Sequence, residues 1–412
     1  MLLALNGGVL PRGLDQADPT RKESLIVRIA FVSTYPPRRC GIATFTHDLS
    51  SATGDREIVA LHSGEHQLPY SLEVHHRIRR DERSDYSRTA RTLDACVEAV
   101  SIQHEFGIWG GPDGRYVLDF IEALGVPAVT TLHTILREPT LGQRVVLSEL
   151  IARSAATVVM SRSAAALLTS IYGVDDRKLD VIPHGVLDLP LVDPASVKGG
   201  LGVEGREVIL SFGLLGPGKG LELALEALPA VVAEHPAACY VIVGATHPEL
   251  VRSEGEAYRS RLVAQVAALG MNDHVRFVDR FVGRVELTRW LEAADVFVTP
   301  YPKLDQIVSG TLSYAMGAGR AIVSTPYTYA AELLADGRGV LVPPGSPDGL
   351  ATALNDILGD DELRAALGRH AYAYSRGMVW SAVGAEYRAV FERVTANASP
   401  PQPSVALAVV VA

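Results

Sequence analysis

Cysteine is scarce: Cys40, Cys96 and Cys239 are the only three in 412 residues, and no two of them stand in a CxxC pair. That excludes a disulfide framework and a cysteine-based zinc site, and it fits a reducing, cytoplasmic setting, which is the location expected. A basic excess is also missing. With 38 Lys and Arg against 47 Asp and Glu, the net charge is -9. Nucleic acid is therefore not expected as the partner, because a surface that tracks phosphates needs clear positive charge. Any anion site must be local. Long apolar runs are lacking too. The tail "SVALAVVVA" is apolar over nine residues, far short of the ~20 that span a bilayer, and no other segment spans one. The first residues have only a brief apolar start, with no basic region and no cleavage site, so they read as an extension rather than a signal peptide. No repeat of about 20 to 50 residues is found.

What is present points to two cores. A chain of 412 residues exceeds what one hydrophobic core usually supports. Its 48% hydrophobic and 21% charged content, with 37 Gly and 24 Pro, suits a turn-rich globular α/β protein. From Val27, short apolar runs alternate with helical stretches, the pattern of a parallel sheet covered on both faces. "VRIAFVS", "EIVALHS", "AVSIQH", "PAVTTLH", "ATVVMS" and "KLDVIP" form a first set of strands. "EVILSFG", "CYVIVGA", "VRFVDR", "DVFVTPY", "AIVST" and "GVLVP" form a second. Between them, residues 188–206 are rich in Pro, Gly and Asp and read as a linker. The expected organisation is an extension over 1–26, a Rossmann-like domain over 27–187, the linker, a second Rossmann-like domain over 207–374, a helix over 375–397 and a tail over 398–412. The fold class is α/β, with two doubly wound sheets facing a central cleft. Such sheets bind ligands beyond the carboxyl ends of their strands, so the chemistry is expected just after strands.

Several stretches meet that rule. "CGIATFTHDL" follows the first strand and places Gly41 and Ile42 before a helix, whose N-terminus carries about half a positive charge for an anion. A plain strand-to-helix turn explains it equally well. "QHEFGIWGG" brings His104 and Glu105 to one strand end, and "TTLHT" brings His133 to the next; two histidines at neighbouring strand ends suit a cleft better than a core. A metal set drawn from His104, Glu105, His133, His184 and His247 lacks ligand spacing such as HExxH. In "FGLLGPGKG", Gly213, Gly218 and Lys219 satisfy GxxxxGK, but Gly220 stands where a P-loop needs the Ser or Thr that holds Mg²⁺. Pyrophosphate binding without nucleotide hydrolysis is the expectation. "DQIVSGTLSYAMGAG" sets Ser309, Gly310 and Thr311 at a helix start with free N–H donors. The arginines of "HHRIRRDERSDYSRTAR" read either as a solvated loop and helix face or as a patch for an anionic acceptor or a membrane surface.

In their order and spacing these motifs, with "VIPHGV", "AADVFVTPY", "AMGAGRAIVST" and "GVLVPPGSPDGLATAL", resemble the retaining family 4 glycosyltransferases of the GT-B fold over nearly all of Val27 to Val394. The resemblance implies that the helix near Trp380 crosses back onto the first domain. It also implies that His133 sits near the donor sugar and that Lys219 is one member of a basic pair on the diphosphate. The other member, usually arginine, is Leu214 here. The family's two glutamates, with seven residues between them, fall on Gln306 and Tyr314, so the charged grip on the donor is replaced by neutral groups.

The function so implied is retaining transfer of a hexose from a nucleotide diphosphate sugar to an acceptor hydroxyl. No metal or other cofactor is expected: Lys219 and the N–H groups of Ser309 to Thr311 would hold the departing diphosphate. Gln306 would orient the sugar, His133 would lend charge stabilisation, Tyr314 would approach the nucleoside, and Gly41 and Ile42 would line the cleft. His104 and Glu105 are acceptor-side candidates. The donor base and sugar are open, with mannose and glucose both compatible. The alternatives are a silent sugar-nucleotide or glycan-binding protein, or another GT-B activity such as a phosphorylase or 2-epimerase.

Overall fold

The computed structural model describes residues 27–54, 57–63 and 68–398. The expected extension over 1–26 and nearly all of the expected tail lie outside them. Among the described residues, thirteen strands form two all-parallel sheets. The first has seven: β1 (Ile29–Ser33), β2 (Glu57–His62), β3 (Val74–Arg79), β4 (Ala99–His104), β5 (Ala128–Leu132), β6 (Ala156–Val159) and β7 (Leu179–Val181), in the order β3-β2-β1-β4-β5-β6-β7. The second has six: β8 (Glu207–Phe212), β9 (Ala238–Val243), β10 (Val275–Val278), β11 (Val296–Thr299), β12 (Ala321–Ser324) and β13 (Val340–Leu341), in the order β10-β9-β8-β11-β12-β13.

The central strands are continuous apolar runs because helices cover both faces; β1, β4 and β9 are buried at every position. In each sheet the order reverses once, between β1 and β4 and between β8 and β11. At such a switch point the two following loops diverge and leave a crevice. The loops after β1 and β4 carry Gly41 and Glu105, and those after β8 and β11 carry Lys219 and Ser309.

The chain passes between the domains twice, side by side. Val186 and Val379 form a parallel bridge, with Val186 N donating to Met378 O at 2.8 Å and Trp380 N to Val186 O at 3.1 Å. The closing helix Trp380–Ala396 then buries Val383, Tyr387 and Phe391 against Ile29, Phe31 and Phe45 of the first domain. The sequence periodicity breaks where the helix Asp361–Ser375 ends and a short turn at Arg376–Met378 precedes this last helix.

The structure adds detail to the linker and corrects the arginine-rich stretch. The linker contains the helical turns Ala195–Lys198 and Gly199–Leu201, pinned by a buried Lys198–Asp295 ion pair at 2.6 Å. The arginine-rich stretch is not only loop and helix. Arg77 and Arg79 lie on β3, an edge strand in which only Val74 and Ile78 are buried, too few apolar residues for alternation to announce it.

Candidate active site

On the second domain, the loop after β8 turns at Gly213 (φ 129°) and ends at Gly220 (φ 61°), which starts the helix Leu221–Glu234. Gly220 cannot carry a side chain: a Cβ there would stand 2.0 Å from the carbonyl oxygen of Pro300. The same close approach that joins the two loops therefore rules out a P-loop hydroxyl. Lys219, just before it, is partly exposed, and its Nζ donates to the Tyr301 hydroxyl at 3.1 Å, lying 4.4 Å from that ring's centroid. The chain of hydroxyls continues. Tyr301 Oη is 3.1 Å from Thr311 Oγ1, which is 3.1 Å from Ser309 Oγ. Burial alone would push the Tyr301 phenol up, but the Lys219 ammonium and these hydrogen bonds outweigh it, and the net shift is downward.

Ser309 caps the helix Gly310–Gly317 by accepting from Leu312 N at 3.4 Å. A cation and a helix N-terminus thus border one spot, an arrangement that favours an anion through charge and through unpaired N–H groups. Gln306 is partly exposed beside it, its amide donating to Val308 O at 2.8 Å. Leu214 is partly exposed and Gly218 is exposed.

On the first domain, Cys40 caps the helix Gly41–Thr53, its Sγ accepting from Ala43 N at 3.3 Å. A Cβ on Gly41 would meet nothing within 4 Å, so the start of this helix is open to the cleft. His133 follows β5 with its ring partly exposed. Its Nε2 lies 2.8 Å from Gln103 Oε1, and Gln103 Nε2 in turn donates to Ser101 Oγ at 3.1 Å. That chain assigns the proton to His133 Nε2 and leaves Nδ1 as acceptor. Enclosure pushes the His133 pKa down to about 3, helped by His184 and His104. At neutral pH that shift favours the uncharged imidazole in this arrangement, against the charge stabilisation expected of His133.

His104, by contrast, is fully buried with neither ring nitrogen bonded, and burial pushes it to about 3. In this conformation it presents no nitrogen to the cleft. Glu105 is partly exposed and accepts from the Thr134 hydroxyl. Burial raises its pKa, against the pull of that bond and of the backbone N–H groups of Gly107 and Phe106. Among the described residues no three His, Cys, Asp or Glu side chains converge to hold a metal.

The two halves meet through residues that the sequence did not single out for this role. The His184 ring, with Nδ1 at 2.8 Å from Gly185 O, lies where a Cβ on Gly310 would stand 2.8 Å from His184 Nε2. Phe45 sets its ring edge-on to both His133 (4.9 Å) and His184 (5.2 Å). Tyr314 is buried, and its hydroxyl donates to Asp48 Oδ2 of the first domain at 3.1 Å. Asp48 also takes the Arg284 guanidinium and lies 3.1 Å from His47 Nδ1. Tyr314 is thus committed across the domain interface, not turned to a nucleoside at the cleft mouth. A second carboxylate bridges the domains: Glu332 accepts from Arg162 N at 2.9 Å, Ser163 N at 2.8 Å and Ser163 Oγ at 2.6 Å. The one sequence signal for the first cluster is an aspartate one turn from Phe45 and beside Leu49, on the buried side of its helix.

Comparison with known proteins agrees with this geometry. The family model described as Glycosyltransferase Family 4 matches residues 40–187, and that described as Glycosyl transferases group 1 matches residues 196–374. The phosphatidyl-myo-inositol mannosyltransferase of Mycolicibacterium smegmatis is 32% identical over 215 residues, 52% of this chain and 52% of that protein. That match spans about half the relative's length. The D-inositol 3-phosphate glycosyltransferase of Segniliparus rotundus is 28% identical over 325 residues, 73% of this chain and 70% of that one. Among solved structures, Anabaena HepE in complex with UDP and glucose has a TM-score of 0.73 at 17% identity, covering 89% of this chain and 100% of that chain. The chain belongs to family 4 of the glycosyltransferases and has the GT-B fold.

Proposed function

We propose that the protein transfers a hexosyl unit, with retention at the anomeric carbon, from a nucleotide diphosphate sugar to a hydroxyl of a polyol acceptor, without a metal ion. The observation that carries this reading is the convergence of Lys219 and the N-terminus of the helix Gly310–Gly317, joined through Tyr301 and Thr311. Donors preset around a departing diphosphate stabilise the charge that develops as the glycosidic bond breaks. Gln306 lies beside that spot to orient the sugar, and neutral His133 faces it from the first domain with Nδ1 as acceptor. Gly41 and Ile42 supply open N–H groups near the phosphates. Glu105, next to His133, belongs to the acceptor side. The likeness to a fold solved with UDP and glucose, and the inositol named in both curated relatives, support the donor and acceptor classes.

The test is a thermal-shift panel of UDP, GDP, ADP and their sugars with Mg²⁺ or EDTA, followed by product analysis for anomeric configuration. A shift with one nucleotide that EDTA leaves intact and Lys219→Ala abolishes is expected. An inverted product, or turnover that requires Mg²⁺, would overturn the mechanism. Tyr314 turned to Asp48 and Leu214 in place of a cation favour a second reading, a protein that binds sugar nucleotides or glycans without transfer; binding with no product for any acceptor would establish it.

A further inference from the structure

Three arginines converge on the outer corner of the first sheet, and the proposed transfer uses none of them. On β3, Val74 and Ile78 face inward, while Arg77 and Arg79 share one face two residues apart. The helix Arg83–Leu93 follows and brings Asp85 and Arg88, one turn apart, over the same place. With His62 at the end of β2 and Tyr70, they line a cavity of about 330 Å³.

One buried carboxylate organises this corner. Asp85 accepts from Arg79 N at 3.1 Å, Arg79 Nε at 2.8 Å and Arg79 Nη2 at 2.9 Å, and it also takes Arg88 Nη2. Two guanidiniums are thereby fixed while only one charge is neutralised. Arg77 has no carboxylate partner among the described residues, and its guanidinium lies 5.3 Å from the centroid of the Tyr70 ring. The Tyr70 hydroxyl is buried with no hydrogen-bond partner among the described residues. A solvated arginine face would leave these side chains free to move. Here two are pinned and one is stacked, which lowers the entropy cost of gripping a ligand. Planar guanidinium forks beside a phenolic O–H match the oxygens of a phosphate group. Because β2 and β3 run parallel to β1, the cavity lies at the carboxyl edge that also carries Gly41. Tyr70 is close enough to Arg38 and Cys40, in the loop leading to Gly41, to be influenced by them.

We infer that this corner is a binding site for a phosphate ester, and that the ester is the anionic part of the acceptor. The first statement rests on the corner itself, and the second rests on the transferase reading. The phosphate is that of a soluble phosphorylated polyol or of a phospholipid headgroup, and the test separates them. Calorimetric titration of the full chain with inorganic phosphate and with glycerol 3-phosphate is paired with flotation on phosphatidylcholine vesicles with and without phosphatidylglycerol. Each measurement is repeated on Arg77→Gln and Lys219→Ala. Arg77 is exposed and makes no ion pair among the described residues, so its substitution should leave folding intact, which a thermal melt checks.

Saturable binding of glycerol 3-phosphate is expected, weakened about tenfold or more in Arg77→Gln, as loss of a charged hydrogen bond implies, and retained in Lys219→Ala. Binding only to phosphatidylglycerol vesicles, abolished in Arg77→Gln, would assign the site to a headgroup and equally support it. No saturable binding in either arm, binding unchanged in Arg77→Gln, or binding lost in Lys219→Ala would overturn the site. Failure of the nucleotide thermal shifts while glycerol 3-phosphate still binds would sink the transferase reading alone.

Discussion

At the end of β5 the cleft is met by His133, neutral and hydrogen-bonded to Gln103; on the second domain it is met by Lys219, whose ammonium is held by the buried Tyr301, which passes hydrogen bonds on to Thr311. The first domain offers shape, one acceptor nitrogen and a ring edge from Phe45. The second offers charge, hydroxyls and a helix N-terminus. A reaction that separates a diphosphate from a sugar needs this division. The leaving group must meet preset positive potential, and the sugar must meet a surface that does not compete for the diphosphate's negative charge. A cationic His133 would draw the diphosphate toward the wrong wall.

The largest effect that sharpens this comparison is expected from Lys219→Ala, with kcat lowered on the order of 10² to 10³, as for removal of one preset donor to a developing anion. Tyr301→Phe keeps the ring under Lys219 but cuts the link to Thr311, and should cost less, about tenfold, mainly in kcat. If His133→Ala lowered kcat more than Lys219→Ala, the division of labour would be wrong. Steady-state kinetics on the three variants decide it.

Much of this was legible in the sequence, for a physical reason. The strand runs are apolar because they are buried on both faces, and Lys219, Ser309, Gly310 and Thr311 sit in local patterns that mark phosphate-friendly turns. Tyr301 was not legible as their link, since it meets Lys219 across 82 residues. Nor was Asp48, which meets Arg284 and Tyr314 across 236 and 266 residues. Local rules carry no information on such contacts. Tyr314 shows the consequence. Its place in the motif implied a nucleoside neighbour, while tertiary packing turns its hydroxyl to the other domain.

The Asp48 cluster supplies the next prediction. Tyr314→Phe removes a buried hydrogen bond to a charged group, worth about 1.5–3 kcal/mol, and should lower stability by that order in urea unfolding. Asp48→Asn leaves Arg284 without its partner; because Arg284 is about half exposed, with 49% of its side-chain surface accessible, water takes over much of that loss. If Tyr314→Phe left both the unfolding midpoint and the donor KM unchanged, the bridge would have no part in setting the two domains.

The smallest expected effect tests the first domain's neutrality. His104, His133 and His184 are pushed down to about 3, about 3 and about 4 from 6.5, in each case chiefly by burial. Between the unfolded and folded values the unfolded chain binds more protons, so stability falls as pH drops below about 6.5 and is insensitive to these groups above about 7.5. Glu105, raised by burial, works in the opposite sense. His104 isolates the effect because it is fully buried and unbonded. His104→Leu removes two polar nitrogens that gain nothing inside, so at neutral pH stability should rise or hold within about 1 kcal/mol. The urea midpoint should then fall less steeply between pH 6.5 and 4 than in the parent, a window bounded by the ordinary imidazole value and the lowered folded values. A steeper fall, or loss of transfer at neutral pH with the fold intact, would mean that His104 reaches a ligand when the cleft is filled, and that the first wall is less apolar than its resting arrangement.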